Sequence, residues 1–244
     1  MSIDDAIRNT STWIRESRST VVFSGAGMST ESGIPDFRSA NGLWTKTDPM
    51  EVATSRAMQH QYDLFHEFYS LRLHTLQQCQ PHEGHKIIAG WESMGFVKSV
   101  ATQNVDGFHH AAGSRRVYEL HGSLNAVRCI DRGHESTPEQ FINKDKCNVC
   151  GSRLRPGVVL FGESLPMEAW NKAMLDIQES DLLLVIGTSL MVAPVNQLPA
   201  IASGRTVLIN QEPVAAHYHF DAVITGKAGE ILGEINQRIG EDTP

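Results

Sequence analysis

The sequence predicts an α/β fold: a doubly wound parallel (Rossmann-like) sheet with a smaller domain made of a helical insertion and a zinc-ribbon-like insertion. Three observations predict it. Strand-like apolar runs alternate with helical patterns along most of the chain, as in sheets whose crossovers are helices. The run 181–186 is continuously apolar after Asp181 and bounded by polar residues, the pattern of a strand buried on both faces. Residues 127–156 break the alternation, because charge rises there and Cys129, Cys147 and Cys150 gather in a ribbon-like separation. The expected division is a nucleotide-binding domain of residues 1–44, 80–126 and 157–244, with 45–79 and 127–156 forming the small domain.

Taken in order, Ile3, Ile7, Thr10 and Ile14 make a helical stripe, with Ser2 and Asp5 as a capping pair. Strand 21–23 then breaks at Gly25-Ala26-Gly27, and glycines directly after a strand let backbone amides approach a phosphate. Thr30 stands where a dinucleotide fingerprint has its third glycine, and Gly33, Pro35 and Gly42 interrupt any following helix. The stretch therefore reads as a loop folded over a nucleotide, presenting Asp36, Phe37 and Arg38 to it. Residues 63–76 form an amphipathic helix, with Leu64, Phe68 and Leu71 on one side and Phe65, Tyr69, Arg72 and Leu76 on the next. On helix physics alone, Arg72 is a snorkelling arginine with its stem on the core and its head in water.

Pro81 opens another helix, ended by Gly95, and strand 96–101 delivers the polar turn from Thr102 to Gly107 at its carboxyl end, where ligands collect in open α/β sheets. Strand 117–120 ends in His121-Gly122-Ser123. In the ribbon, Arg132 occupies the place of a second cysteine, so Asp131 or His134 would have to complete a four-ligand site. Any zinc held there would be structural, since a closed tetrahedral sulfur site leaves no open position. A strand at 158–161 follows, leading to Gly162-Glu163. Residues 181–186 end in Gly187-Thr188-Ser189, and 206–209 deliver Asn210, Gln211 and Glu212. Residues 222–224 close the sheet before a last helix with Ile231, Leu232, Ile235 and Ile239 inward.

Composition narrows the function. A chain of 244 residues buries a full core and suits one catalytic unit with a small insertion. A net charge of −7 disfavours a general nucleic-acid binder and suits a protein that attracts lysine-rich substrates. Four cysteines without a secretory signal argue against a disulfide framework. The N-terminal stretch carries acids and arginines where a signal peptide needs an apolar run, and no run approaches a membrane span, so a cytoplasmic protein without membrane partners is expected. Oligomeric state is open, with a monomer compatible.

The motif G-A-G-x-S-x-x-S-G-I-P-D-F-R-S at 25–39, followed by Gly42-Leu43-Trp44, closely resembles the signature of the sirtuins, NAD-dependent protein-lysine deacylases. Q-N-V-D-G at 103–107, L-H-G-S at 120–123 and L-R-P-x-V-V-x-F-G-E at 154–163 match further sirtuin motifs in order, with Leu160 where the family often carries tryptophan. The resemblance implies NAD as co-substrate, with Gly25, Ala26 and Gly27 at the pyrophosphate and Gln103 at the nicotinamide ribose. It places Asn104 and Asp106 in the nicotinamide pocket, and Gly187, Thr188, Ser189 and Asn210 toward the adenosine half. Phe37 would cover the emptied nicotinamide pocket and Arg38 would hold the reactive conformation; Ser29, Asp36, Trp44, Val105, Gln211, Glu212 and Ala228 complete the implied cofactor site. His121 is implied as general base, acting with Asn104. Val158, Phe161, Gly162 and Glu163 are implied to hold an acyl-lysine protein or peptide.

Tyr69-x-x-Arg72 resembles the pair carried by sirtuins that prefer acyl groups ending in a carboxylate, and Ala53 the small residue that widens their channel. That implies removal of acetyl and also succinyl or malonyl groups, with release of nicotinamide and O-acyl-ADP-ribose. Two other classes share the same contacts: an ADP-ribosyltransferase, disfavoured by the presence of His121, and a non-catalytic NAD-binding module. A hydride-transferring Rossmann enzyme is the weakest alternative, because its first crossover would be an unbroken helix.

Overall fold

The computed structural model describes residues 1–40, 42–215 and 218–241. Helix α1 (Ile3–Glu16) is capped as expected, the Asp5 amide donating to Ser2 Oγ at 3.1 Å. It buries Ile7, Thr10 and Ile14, while Ile3 in its first turn stays exposed. Strand β1 (Thr20–Ser24) is buried throughout. The helical insertion comprises α2 (Pro49–Val52), α3 (Ser55–His60) and α4 (Tyr62–Gln77). Then come α5 (Glu83–Ser93), β2 (Val97–Thr102), α6 (Phe108–Ala111), β3 (Val117–Glu119) and β4 (Gly122–Cys129). Helix α7 (Pro138–Ile142) and β5 (Leu154–Val158) complete the cysteine-bearing part. The chain ends with α8 (Met167–Gln178), β6 (Leu182–Ile186), β7 (Arg205–Asn210), β8 (Ala222–Thr225) and α9 (Ala228–Glu241).

Six strands form one parallel sheet in the order β3-β2-β1-β6-β7-β8. The chain winds outward from β1 in one direction, then outward from β6 in the other. The junction of β1 and β6 is therefore the topological switch point, where crossovers depart to opposite sides and leave a crevice at the carboxyl ends. Ser24 pairs with Thr102 on one side and Ile186 on the other, so these three strands end at one level and their loops meet. One face packs against α1, α5 and α9 through residues such as Ile14, Trp91 and Leu232; α8 covers the other through Ala173 and Ile177.

A second core lies beyond the sheet. It joins Phe65, Tyr69 and Leu73 of α4 to Phe141 of α7 and to Val127, Leu154 and Val158 of the antiparallel β4–β5 pair. Among the described residues, no helix is long and apolar enough to cross a membrane.

Three sequence-based expectations shift. The strand expected at 158–161 lies at 154–158, because the chain beyond it turns to other partners, the Phe161 amide donating to the Ala53 carbonyl at 2.9 Å. Arg155 Nη2 donates to the Val158 carbonyl at 2.7 Å, and the Leu160 amide donates to Glu163 Oε2 at 2.9 Å. On α4, Tyr62, Phe65, His66, Tyr69, Leu73 and Leu76 face inward, whereas Leu64 and Leu71 are 41% and 65% exposed. The helix expected from Pro81 starts at Glu83, since the His82 ring accepts from the Gly84 amide at 3.0 Å and caps it.

Candidate active site

The loops after β1 and β6 are pressed together, and this explains their glycines. A Cβ on Gly25 would stand 2.7 Å from that of Thr188, and one on Gly27 2.9 Å from the Gly187 backbone. Gly187 adopts φ +62, where an added Cβ would meet the Met28 amide at 2.2 Å. The Gly27 amide donates to the Gly187 carbonyl at 2.8 Å. Three glycines thus weld two loops at the switch point, a demand separate from the close approach of a phosphate. Residues 26–32 continue as a 3-10 helix that stops at Gly33 in the left-handed region, the early interruption that the sequence predicts.

A cleft of about 1090 Å³ opens over these loops. Of the predicted cofactor residues, Gly25, Ala26, Gly27, Asp36, Phe37, Arg38, Trp44, Gln103, Asn104, Val105, Gly187, Thr188, Ser189, Asn210, Gln211, Glu212 and Ala228 line it. His121 lines it too, as do the predicted substrate residues Ala53, Tyr69, Arg72, Val158, Phe161, Gly162 and Glu163. Ser29 and Asp106 lie beneath the wall, buried. There Ser29 Oγ donates to Asp106 Oδ2 at 2.8 Å and accepts from Asn104 Nδ2 at 3.0 Å, so it orients both polar residues of the 103–107 turn. Burial pushes the Asp106 carboxyl pKa up, against the pull of the Phe108 amide, Ser29 and the Arg72 charge.

The segment after Gly33 folds over the cleft as a self-supporting loop. Asp36 Oδ1 accepts from the amides of Arg38 and Ser39 at 3.1 and 2.9 Å, and the Trp44 amide donates to the Phe37 carbonyl at 2.9 Å. Asp36 therefore braces the loop with one of the two oxygens it was expected to offer a nucleotide. Asn210 behaves similarly, its amide donating to the Glu212 carbonyl at 2.7 Å. Gln103 Nε2 donates to Thr188 Oγ1 at 2.9 Å and bridges the turns after β2 and β6.

His121 stands two residues past β3. Its Nδ1 lies 3.1 Å from the Gln103 carbonyl, which only accepts, so the ring proton sits on Nδ1 and the Nε2 lone pair has no partner among the described residues. Burial lowers its pKa; the Gln103 carbonyl raises it and the Arg38 charge lowers it again. The ring is thus a neutral base at neutral pH.

On the opposite wall, Arg72 departs from the snorkelling expectation. Its guanidinium carbon lies 5.1 Å from the centre of the Phe37 ring, 5.8 Å from Phe68 and 5.6 Å from Tyr69. Trp44 bridges Phe37 and Phe68 at 5.1 and 5.9 Å, closing an aromatic cage between the covering loop and α4. Burial lowers the Arg72 pKa, opposed by Tyr69 and Asp106. Among the described residues no carboxylate forms an ion pair with it. Glu163, by contrast, is engaged by Arg155 at 2.9 Å and by the Leu160 amide at 2.9 Å, so it shapes the 158–163 segment.

Met191, Val192, Pro194, Val214 and Lys227 also line the cleft and were missed by sequence reasoning. Each lies a few residues beyond the carboxyl end of β6, β7 or β8, and that position is the signal that would have found them.

Away from the cleft, Cys129, His134, Cys147 and Cys150 bring their ligand atoms within 4.8 Å of one another. His134 Nδ1 is 3.7 Å from Cys129 Sγ and 3.4 Å from Cys147 Sγ, and Cys129 Sγ is 3.7 Å from Cys150 Sγ. A tetrahedron with zinc–ligand bonds of about 2.0–2.3 Å has edges of about 3.3–3.8 Å, so the cluster fits a structural zinc ion. Of the two open candidates for the fourth ligand, His134 is brought in and the exposed Asp131 is left out. Arg132 contributes only its backbone amide, which donates to Cys129 Sγ at 3.3 Å.

A sheet with paired loops at its switch point, under a cleft with a free imidazole, defines a nucleotide-using α/β enzyme. The model of the Sir2 family matches residues 25–194, more than half of the chain. The NAD-dependent protein deacetylase 1 of Geobacillus kaustophilus is 50% identical over 237 residues, covering 95% of this chain and 98% of that protein. A Sir2 homologue solved with NAD superposes with a TM-score of 0.89 at 37% identity, covering 96% of this chain and 93% of the other. A Sir2 protein solved with a deacetylated p53 peptide and 3'-O-acetyl-ADP-ribose gives a TM-score of 0.91 at 31% identity, covering 96% and 98%. The chain belongs to the Sir2 family, and its co-substrate is NAD.

Proposed function

We propose that this NAD-dependent protein deacylase removes acyl groups ending in a carboxylate, succinyl or malonyl, as well as acetyl, from lysine side chains. The observation that carries the reading is Arg72: a cation on the cleft wall, caged by three rings and without a carboxylate partner among the described residues. Ring faces stabilise a cation, and the Tyr69 hydroxyl accepts from the guanidinium, but a fork of five N–H donors calls for further acceptors. An acyl carboxylate would supply those acceptors in bidentate geometry, with Tyr69 adding a donor one helical turn away. Ala53, small and on the same cleft, leaves room for the longer chain.

Bound NAD supplies the ribose carbon that accepts the acyl oxygen as nicotinamide leaves. Gly25–Gly27 and Thr188 would face its phosphates and adenosine half, and Asn104 and Asp106, oriented by Ser29, its nicotinamide. Phe37 and Trp44 exclude water from above. His121 Nε2 would take a proton from a ribose hydroxyl, whose oxygen then attacks the acyl carbon; hydrolysis frees the lysine and leaves O-acyl-ADP-ribose. Segments 45–79 and 127–156, sharing the second core, would act as one small domain roofing the acyl side.

Mass spectrometry of a succinyl-lysine peptide mixed with protein and NAD tests the reading. Loss of succinyl with appearance of O-succinyl-ADP-ribose supports it. A peptide that keeps succinyl and gains ADP-ribose supports transferase activity instead, and an acetyl-only turnover removes the carboxylate reading.

A further inference from the structure

The 103–107 turn must hold Asn104 and Asp106 steady while a bond to nicotinamide breaks, yet it is a short irregular segment between β2 and the single-turn α6. Ser29 holds the two side chains from above. What holds the backbone lies underneath, among polar groups with no part in the cleft.

Ser24, the last residue of β1, is buried and absent from the cleft wall. Its carbonyl accepts from the Gln103 amide at 2.9 Å, where the turn begins. Its hydroxyl donates to Thr102 Oγ1 at 2.8 Å, and Thr102 Oγ1 also accepts from the Asn104 amide at 3.0 Å. Having given its proton to Thr102, Ser24 Oγ is an acceptor toward His109 Nε2, 2.9 Å away. His109 sits on α6, just past the far end of the turn, and is 1% exposed. Gly107 in the left-handed region turns the chain back, and the Phe108 amide caps Asp106 Oδ1 at 2.9 Å, so α6 and the turn move as one piece.

We propose that His109 is a positioning residue for nicotinamide chemistry: as an Nε2–H donor to Ser24, it ties the far end of the 103–107 turn to the strand that also anchors its near end. One serine then pins both ends, and the staple couples the turn to the glycine loop that starts at Gly25. A neutral ring has a single proton; spending it on Ser24 leaves Nδ1 bare, and Nδ1 is indeed buried with no partner among the described residues. Burial holds the ring neutral, its pKa lowered to about 3. The inference rests on the reading of this cleft as a nicotinamide site.

The test compares His109→Phe, which keeps an aromatic ring and deletes the donor, with His109→Gln, whose amide nitrogen reaches the Nε2 position. Ser24→Ala removes the hub with a minimal change of volume. Two quantities are read on the full chain: incorporation of labelled nicotinamide into NAD with an acetyl-lysine peptide present, and the affinity for ADP-ribose, which does not touch the nicotinamide pocket. Misplacement by about 1 Å can cost roughly 100-fold, so His109→Phe and Ser24→Ala are expected to slow exchange by about 10-fold or more. ADP-ribose affinity should stay within about twofold in both, and His109→Gln should exchange within about threefold of the parent. Should His109→Phe fail to fold, Ser24→Ala against His109→Gln carries the comparison. Parent-like exchange in Ser24→Ala, or ADP-ribose affinity falling in step with exchange, overturns the proposal. A parent protein that exchanges no nicotinamide overturns the reading of the cleft itself, whatever the variants do.

Discussion

Replacing Arg72 with methionine isolates the charge from the packing. The stem remains, and a thioether among Phe37, Phe68 and Tyr69 makes contacts that rings favour. What disappears is a charge-assisted pair with a carboxylate in a desolvated cage, worth about 2–3 kcal/mol. At 1.36 kcal/mol per tenfold, desuccinylation should fall by roughly 30- to 150-fold in kcat/KM. An acetyl group has no charge to satisfy, so deacetylation should hold or improve. The assay is steady-state nicotinamide release on a matched pair of acetyl- and succinyl-lysine peptides. The ratio of the two rates is the readout, since a damaged fold depresses both. An equal loss on both peptides, or none on either, refutes the carboxylate role and makes Arg72 a brace for the Phe37 loop.

His121→Ala should keep ADP-ribose affinity and lose about 10²–10⁴-fold in turnover, the usual contribution of a general base; turnover within a few-fold of the parent would reassign the proton acceptor. Because burial lowers the His121 pKa, the acid limb of the kcat/KM profile should have its midpoint below about 6.5, and a midpoint above that value in a pH series would contradict the environment described. His134→Ala should lower zinc content and melting temperature while Asp131→Ala leaves both unchanged; metal analysis and thermal unfolding separate the two, and equal behaviour would unseat His134. Burial depresses the pKa of His85 to about 2 and of His109 to about 3, so below about 6.5 the unfolded chain binds two protons that the folded chain refuses. Stability is therefore full above pH 7 and falls with acidity, by about 2–3 kcal/mol between pH 7.5 and 5.5 for the pair, and denaturant unfolding at both pH values measures it. A flat profile would mean that these rings take up protons in the folded protein.

Much of the architecture was open to sequence reasoning, because apolar periodicity is a local property that burial then ratifies. The run at 182–186 is fully buried, and Ile231, Leu232, Ile235 and Ile239 all face inward on α9. The polar turns at 103–107, 121–123, 187–189 and 210–212 converge for the same reason: each follows a parallel strand, and parallel strands end on one side of the sheet. The boundary at 158 was misplaced because nothing local in Val158-Val159-Leu160-Phe161 reveals that Arg155 takes the Val158 carbonyl, Glu163 the Leu160 amide and Ala53 the Phe161 amide. Similarly, Leu64 and Leu71 read as core on periodicity alone, and only the position of the second core shows which side of α4 is inward.

By itself, then, the order of residues determined a parallel sheet, its strand-end loops, an imidazole at one of them and three thiols in a ribbon, since each depends on neighbours within a few positions. Tertiary structure decided which of Asp131 and His134 joins the thiols, that Ser29 and Asp106 meet beneath the cleft, that Arg72 is caged by rings with no ion pair among the described residues, and that His109 reaches Ser24. Those are contacts between side chains far apart in the sequence. Their energies depend on distances of a few ångströms between elements, which the packing of two cores sets and no local pattern encodes.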